Sequence, residues 1–242
     1  MTGVPMTAFS EELKSHTASA HEHAEQAGFV TELLNGKMEA SQVAAMLLQN
    51  YVIYQALESA LDANPDPRLA PFADPALMRV EALEKDLAVH YGDDWERRLA
   101  AGELHVTPGA KAYADELAAI GPGSTTYLMA HHYVRYLGDL SGGQIISALV
   151  QRHYNLSPEG LNFYAFEGIG KIKPYKDSYR GHLDEADFSD VEKQEILRHA
   201  EVAFDTNRQV FVDLMEHYLK LDRGLNALEQ GVEFPVVVNQ RS

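Results

Sequence analysis

The chain has 242 residues and a formal charge of −16, long enough for a substantial core and too acidic to favour nucleic acid or anionic membrane surfaces. It has no cysteine, which excludes disulfides and thiolate metal ligands. No apolar run reaches membrane-spanning length, and the amino terminus (MTGVPMTAFSEELK) lacks a basic-then-apolar signal pattern, so a cytoplasmic location without membrane insertion is expected.

Helical periodicity predicts helices over 9–27, 29–36, 40–63, 75–91, 93–101, 108–120, 124–154, 174–185 and 189–222. Asn64 to Pro75 holds four prolines and reads as a loop. Residues 155–173 read as an irregular connector, with Pro174 in the first turn of the following helix. Ser189 and Glu192 form a capping-box signature at the start of the last helix. After Gly224 the periodicity fades. The expectation is an all-α, single-domain, multi-helix fold over 9–222, with a flexible amino terminus (1–8) and a C-terminal tail (223–242).

The most informative segment is Leu137-Gly-Asp-Leu-Ser-Gly-Gly-Gln144, which places Gly138, Gly142 and Gly143 inside an otherwise continuous helical pattern. Each interior glycine costs about 1 kcal/mol relative to alanine, roughly 3 kcal/mol in all. At i, i+4 and i+5 they are expected on one face, where the backbone can bend and be approached closely by something flat. The string LSGGQ also occurs in ABC ATPases, but the chain lacks the G-x-x-x-x-G-K-[ST] phosphate loop and the αβ alternation that such a domain requires.

Eleven histidines raise the question of a metal. His131 and His132 are adjacent on one helix, so their side chains point about 100° apart and cannot share an ion. His21 is different. It shares a helical face with Lys14 and Glu25, among the small residues Thr17, Ala18, Ala20 and Ala24. Such a histidine suits an axial metal ligand whose other ring nitrogen Glu25 could polarise. An ordinary i, i+4 His–Glu pair on an amphipathic helix fits the same spacing. Lys176 and Arg180, also i, i+4, could clamp a carboxylate or phosphate, or simply form a solvated basic patch.

Together, T-x-x-x-H-x-x-x-E (Thr17, His21, Glu25), HHYVRYLGDLSGGQ (131–144) and YKDSYR (175–180) resemble the haem (heme) oxygenase family, in its His-ligated, biliverdin-forming branch and most like its bacterial members. Matches also occur at Tyr51 to Glu58 and Phe204 to Phe211, and the resemblance runs in order from about residue 9 to 220. It implies haem b as both substrate and prosthetic group, sandwiched between a proximal helix and a glycine-kinked distal helix. His21 would be the axial iron ligand, with Glu25 behind it. Lys14, Tyr133, Lys176 and Arg180 would hold the propionates. Gly138, Gly142 and Gly143 would bring distal backbone close to bound oxygen, and Asp139 would anchor distal water in a network extended by Arg135, Tyr54, Tyr113 and Asn207. Glycines place no acidic side chain beside the iron, while a water held by Asp139 can relay protons.

The resemblance also implies the products biliverdin (α isomer), ferrous iron and carbon monoxide, and an external NAD(P)H-driven electron donor. That donor would be a ferredoxin, a flavodoxin-like protein or a flavoprotein reductase, docking at the Lys14, Lys176 and Arg180 rim. Iron acquisition is the role expected of a bacterial member. A thiaminase-like hydrolase would need a catalytic cysteine, and a di-iron oxygenase would need Glu-x-x-His pairs; neither occurs here. The remaining alternative is a haem carrier or sensor without turnover, for which the Asp139 set would be superfluous.

Overall fold

The computed structural model describes residues 7–25 and 28–229; the side chains of Glu25 and of 223–229, and the whole of 230–242, lie outside the described residues. Eleven α-helices and no strand occur among the described residues. The first two, α1 (Phe9–His16) and α2 (Ala18–Glu25), divide what the periodicity reads as one helix. The division falls at Thr17, whose hydroxyl donates back to the Leu13 carbonyl at 2.8 Å and competes with the regular ladder.

Helix α3 (Gly28–Leu34) leads to α4 (Ala40–Ala63), buried along most of its length and packed against α5 (Val80–Tyr91) and α7 (Pro108–Ile120), with the short α6 (Trp95–Ala100) between them in sequence. The periodicity starts its fourth helical segment at residue 75, whereas the corresponding helix, α5, begins at Val80. Asp74 closes a turn by accepting from the Ala76 amide at 2.9 Å, and Glu58 of α4 caps α5 by accepting from the amides of Arg79 (2.5 Å) and Val80 (3.3 Å). A carboxylate there faces the positive end of the helix dipole. Thr107 caps α7 through the Ala110 amide at 3.1 Å, with Pro108 in the first turn.

Helix α8 (Thr125–His132) runs into a π-turn at Tyr133–Leu137 and then into α9 (Gly138–Tyr154). The irregularity expected at the glycines thus lies immediately before them. A π-turn inserts one extra residue into the helical ladder and turns the following helix about its axis, so that α9 does not continue the face of α8. Asn155 ends α9 in the left-handed conformation (φ 51°).

The connector expected over 155–173 ends two residues sooner, at 171, and its three 3₁₀ turns are tightly held from behind. Asp86 accepts from the amides of Asn162 (2.6 Å) and Phe163 (2.8 Å), and Arg79 donates to the carbonyls of Phe163 (3.3 Å) and Ala165 (3.1 Å). Helix α10 (Ile172–Glu185) packs against α1. The last, α11 (Asp190–Glu229), opens with the expected capping box: Ser189 Oγ donates to Glu192 Oε2 at 2.9 Å and accepts from the Glu192 amide at 3.3 Å. It continues past residue 222 and packs against α2, α3, α7 and α8. Among the described residues no helix is long and apolar enough to cross a membrane.

Candidate functional site

A cavity of about 300 Å³ opens between the α1–α2 segment and the π-turn and α9. Lys14, Thr17, Ala18 and His21 line one wall; Tyr133, Val134, Leu137, Gly138 and Ser141 line the other; Arg180 of α10 and Phe204 of α11 complete it. Of the residues singled out from the sequence, Lys14, His21, Tyr133, Gly138 and Arg180 therefore meet at one place. Lys176 stands beside them, its ammonium donating to Ser141 Oγ at 3.0 Å. Burial, followed by the Arg180 charge, pulls its pKa below the usual lysine value. The His21 ring meets Phe204 edge-on at 5.6 Å between centroids. Glu25, expected behind His21, has its side chain outside the described residues.

The glycines divide into two kinds. A Cβ placed on Gly138 would meet nothing within 4 Å, and one on Gly142 only Ile146 Cδ1 at 4.0 Å. A Cβ on Gly143 would sit 3.1 Å from Tyr164 Cδ1. The expectation of one shared face is corrected here: at roughly 100° per residue, i+5 lies about 140° from i, and that rotation turns Gly143 inward onto the connector. Gly143 is explained by packing against Tyr164, while Gly138 is explained by the cavity.

Behind Gly138 lies a polar cluster off the cavity lining. Tyr54 donates to Asp139 Oδ2, and the Arg135 guanidinium lies 4.7 Å over the Tyr54 ring. Arg135 donates to Asn207 Oδ1 at 2.6 Å and to Asn50 Oδ1 at 2.8 Å. Desolvation raises the Asp139 pKa from its ordinary value, opposed by Arg135 and the Tyr54 hydrogen bond. Burial likewise pushes the Tyr54 phenol well up, reinforced by the Asp139 charge. Tyr113, expected in this network, pairs instead with His131 Nδ1 at 2.7 Å, one layer deeper. Burial lowers the pKa of both His131 and His132 to about 3, so both are neutral structural rings.

Asn50 was not singled out from the sequence, although Asn50, Tyr54 and Glu58 recur at i, i+4 and i+8 on one face of α4. That spacing was the available signal. Glu58 accepts from Tyr136 at 2.9 Å, extending the cluster toward α5. Ser141 and Phe204 were also missed as wall residues; a serine one turn after Leu137 carries no signal of its own.

Residues 7–213 match the family model described as heme oxygenase. The chain is 36% identical to a heme oxygenase of the pufferfish Takifugu rubripes, over 86% of this chain and 74% of that protein. It superposes on heme oxygenase-1 of the cyanobacterium Synechocystis, solved in complex with heme, with a TM-score of 0.82 and 30% identity over 93% of this chain and 99% of that one. For the Leptospira interrogans heme oxygenase the TM-score is 0.76 at 31% identity, covering 85% and 98%. The chain belongs to the haem oxygenase family.

Proposed function

We propose that this chain opens haem at its α-meso carbon, using dioxygen and electrons from an external cytoplasmic redox protein. As a member of its family it is an enzyme that degrades haem to biliverdin, with release of iron and carbon monoxide. The observation that carries the reading is the vacant side-chain position of Gly138 on one wall of a cavity whose other wall presents His21.

The residues present fit haem. The walls are apolar or small where a flat macrocycle would lie (Ala18, Val134, Leu137, Gly138, Phe204) and cationic where its two carboxylates would emerge (Lys14, Arg180). His21 supplies an imidazole nitrogen for the iron. When bound, haem supplies the iron that carries dioxygen and the ring carbon that is oxidised.

The protein's part is binding, orientation and proton supply. Lys14, Tyr133, Lys176 and Arg180 hold the propionates and so select the meso carbon that lies under the distal wall. Gly138 keeps any general acid away from the iron, and Gly142 leaves α9 thin beside it. Asp139, accepting from Tyr54 and lying near Arg135, is the group that orders water and passes protons inward, and its raised pKa suits that work. Asn50 and Asn207 fix Arg135 from two sides.

The test is to add one equivalent of ferric haem, supply a chemical reductant under air, follow the spectrum, and separate the product isomers by chromatography. Biliverdin α with carbon monoxide is expected. Another isomer as the main product refutes the propionate assignment. A stable haem complex that binds oxygen without ring opening means a carrier or sensor.

A further inference from the structure

His132 lines no part of the cavity, yet it is completely buried and both ring nitrogens are engaged. Nε2 lies 3.0 Å from the Phe72 carbonyl oxygen, and Nδ1 lies 2.8 Å from the Tyr179 hydroxyl. A carbonyl can only accept, so Nε2 carries the proton. In the neutral ring Nδ1 is then the acceptor, and Tyr179 donates to it. This ring therefore has one tautomer and one orientation. It packs against the rings of Tyr136 (4.2 Å between centroids), Phe72 (5.8 Å) and Tyr179 (5.7 Å).

The placement of this bond along the two chains gives it a consequence. His132 immediately precedes Tyr133, and Tyr179 immediately precedes Arg180. One hydrogen bond thus joins the neighbours of two residues that line the cavity from different elements, the π-turn and α10. Along α10, Tyr175, Tyr179 and Leu183 recur at i, i+4 and i+8 on the inward edge, and Tyr175 donates to Asp74 at 2.6 Å. Lys176 and Arg180 form the adjoining edge. Because a helix moves as a rigid unit, a slip of the Tyr179 anchor carries both cations with it, while the distal wall stays with α9.

Resting on the haem-cleaving reading above, we propose that His132 is a positioning residue that sets the register of α10 against the distal helix and thereby the meso carbon that is oxidised. It touches no reacting atom. It acts through Tyr179 on the Lys176 and Arg180 clamp.

The test compares wild type with Tyr179→Phe, His132→Leu and His132→Gln in two measurements. The first is hydrogen exchange of α10 amides in the haem-free protein; the second is the biliverdin isomer ratio with a chemical reductant. Tyr179→Phe and His132→Leu are expected to speed α10 exchange and to raise the non-α fraction about fivefold, the size of effect expected from losing one buried hydrogen bond. His132→Gln, whose side-chain amide can donate to Phe72 and accept from Tyr179, is expected to return both readouts toward wild type. Unchanged α10 exchange in Tyr179→Phe overturns the proposal. So does faster exchange with an unaltered isomer ratio, which would leave His132 a purely structural residue. Should His132→Leu not fold, Tyr179→Phe alone decides, since it keeps the ring and removes one oxygen. A wild type that releases no biliverdin defeats the underlying reading instead, and does so before any variant is compared.

Discussion

Replacing Gly138 with alanine should make the haem-free protein more stable and the enzyme worse. The backbone there (φ −61°, ψ −52°) is ordinary right-handed helix, so alanine enters without strain. Its methyl meets no protein atom within 4 Å, so no packing is disturbed. Helix propensity then favours alanine by about 1 kcal/mol, part of it through the unfolded chain. For a domain of this size that corresponds to a rise of roughly 2–4 °C in Tm. The same methyl projects into the space assigned to the macrocycle, and misplacing a bound reactant by about an ångström can cost on the order of a hundredfold in rate. Thermal unfolding of the haem-free protein followed by circular dichroism, paired with biliverdin yield under a chemical reductant, reads both effects. Gly143→Ala is the internal comparison: its methyl would press on Tyr164 at 3.1 Å, so the stability gain should be reduced or reversed. A Gly138→Ala protein that melts lower than wild type, or that keeps full turnover, would sink the assignment of Gly138 to the ligand.

Asp139→Ala should leave haem affinity within a few-fold of wild type but cut biliverdin formation by about 10²–10⁴, the usual weight of a positioned proton-transfer group; biliverdin at the wild-type rate removes Asp139 from proton delivery. His21→Ala should alter the absorption spectrum of bound haem and lose turnover, with both restored by added imidazole; an unaltered spectrum takes His21 out of the site. Stability should fall in mild acid. His131 and His132, lowered to about 3 in the fold, are protonated in the unfolded chain near their ordinary value of 6.5, so stability present above 6.5 is lost as pH drops through it. The pair contributes about 3 kcal/mol of loss between pH 7.5 and 5.5. Asp139, Glu58 and Asp86, all raised by burial, take up protons earlier when folded and offset part of that loss just above the carboxylate range. Urea midpoints measured across this range that stay flat would contradict the buried neutral state of the two rings.

Much of the site was legible because its components carry a local cost or a local spacing. Gly138 weakens a helix with no compensating contact, and that penalty is visible in the sequence itself. Lys14 and His21 share a face by arithmetic, and Ser189 with Glu192 announces the start of α11. The features that escaped are those decided by contacts from elsewhere in the chain. The π-turn has no residue signature; Tyr133 to Leu137 contains neither proline nor glycine. The break at Thr17 depends on one hydroxyl choosing the Leu13 carbonyl. The start of α5 is fixed by Glu58, about twenty residues earlier, and Tyr113 turned to His131 because of how α7 meets α8.

The same contacts explain how a helix with three glycines and a charged cluster behind it can serve as a rigid wall. Asp139 and Arg135 are enclosed together, an arrangement that is costly unless each remaining polar atom finds a partner. Tyr54, Asn50 and Asn207 provide most of those partners, and they come from two other helices. On the far side, Gln144 donates to the Tyr164 carbonyl at 2.7 Å and Gly143 rests on the Tyr164 ring, so the thin part of α9 is backed by the connector. The connector is itself held by Arg79 and Asp86. Flexibility introduced by glycine is thus confined to the cavity side, where a ligand rather than protein would supply the missing contacts. A wall built this way should be least ordered when empty and should tighten when its ligand binds, which places the stabilising effect of binding in α9 more than in α4 or α11.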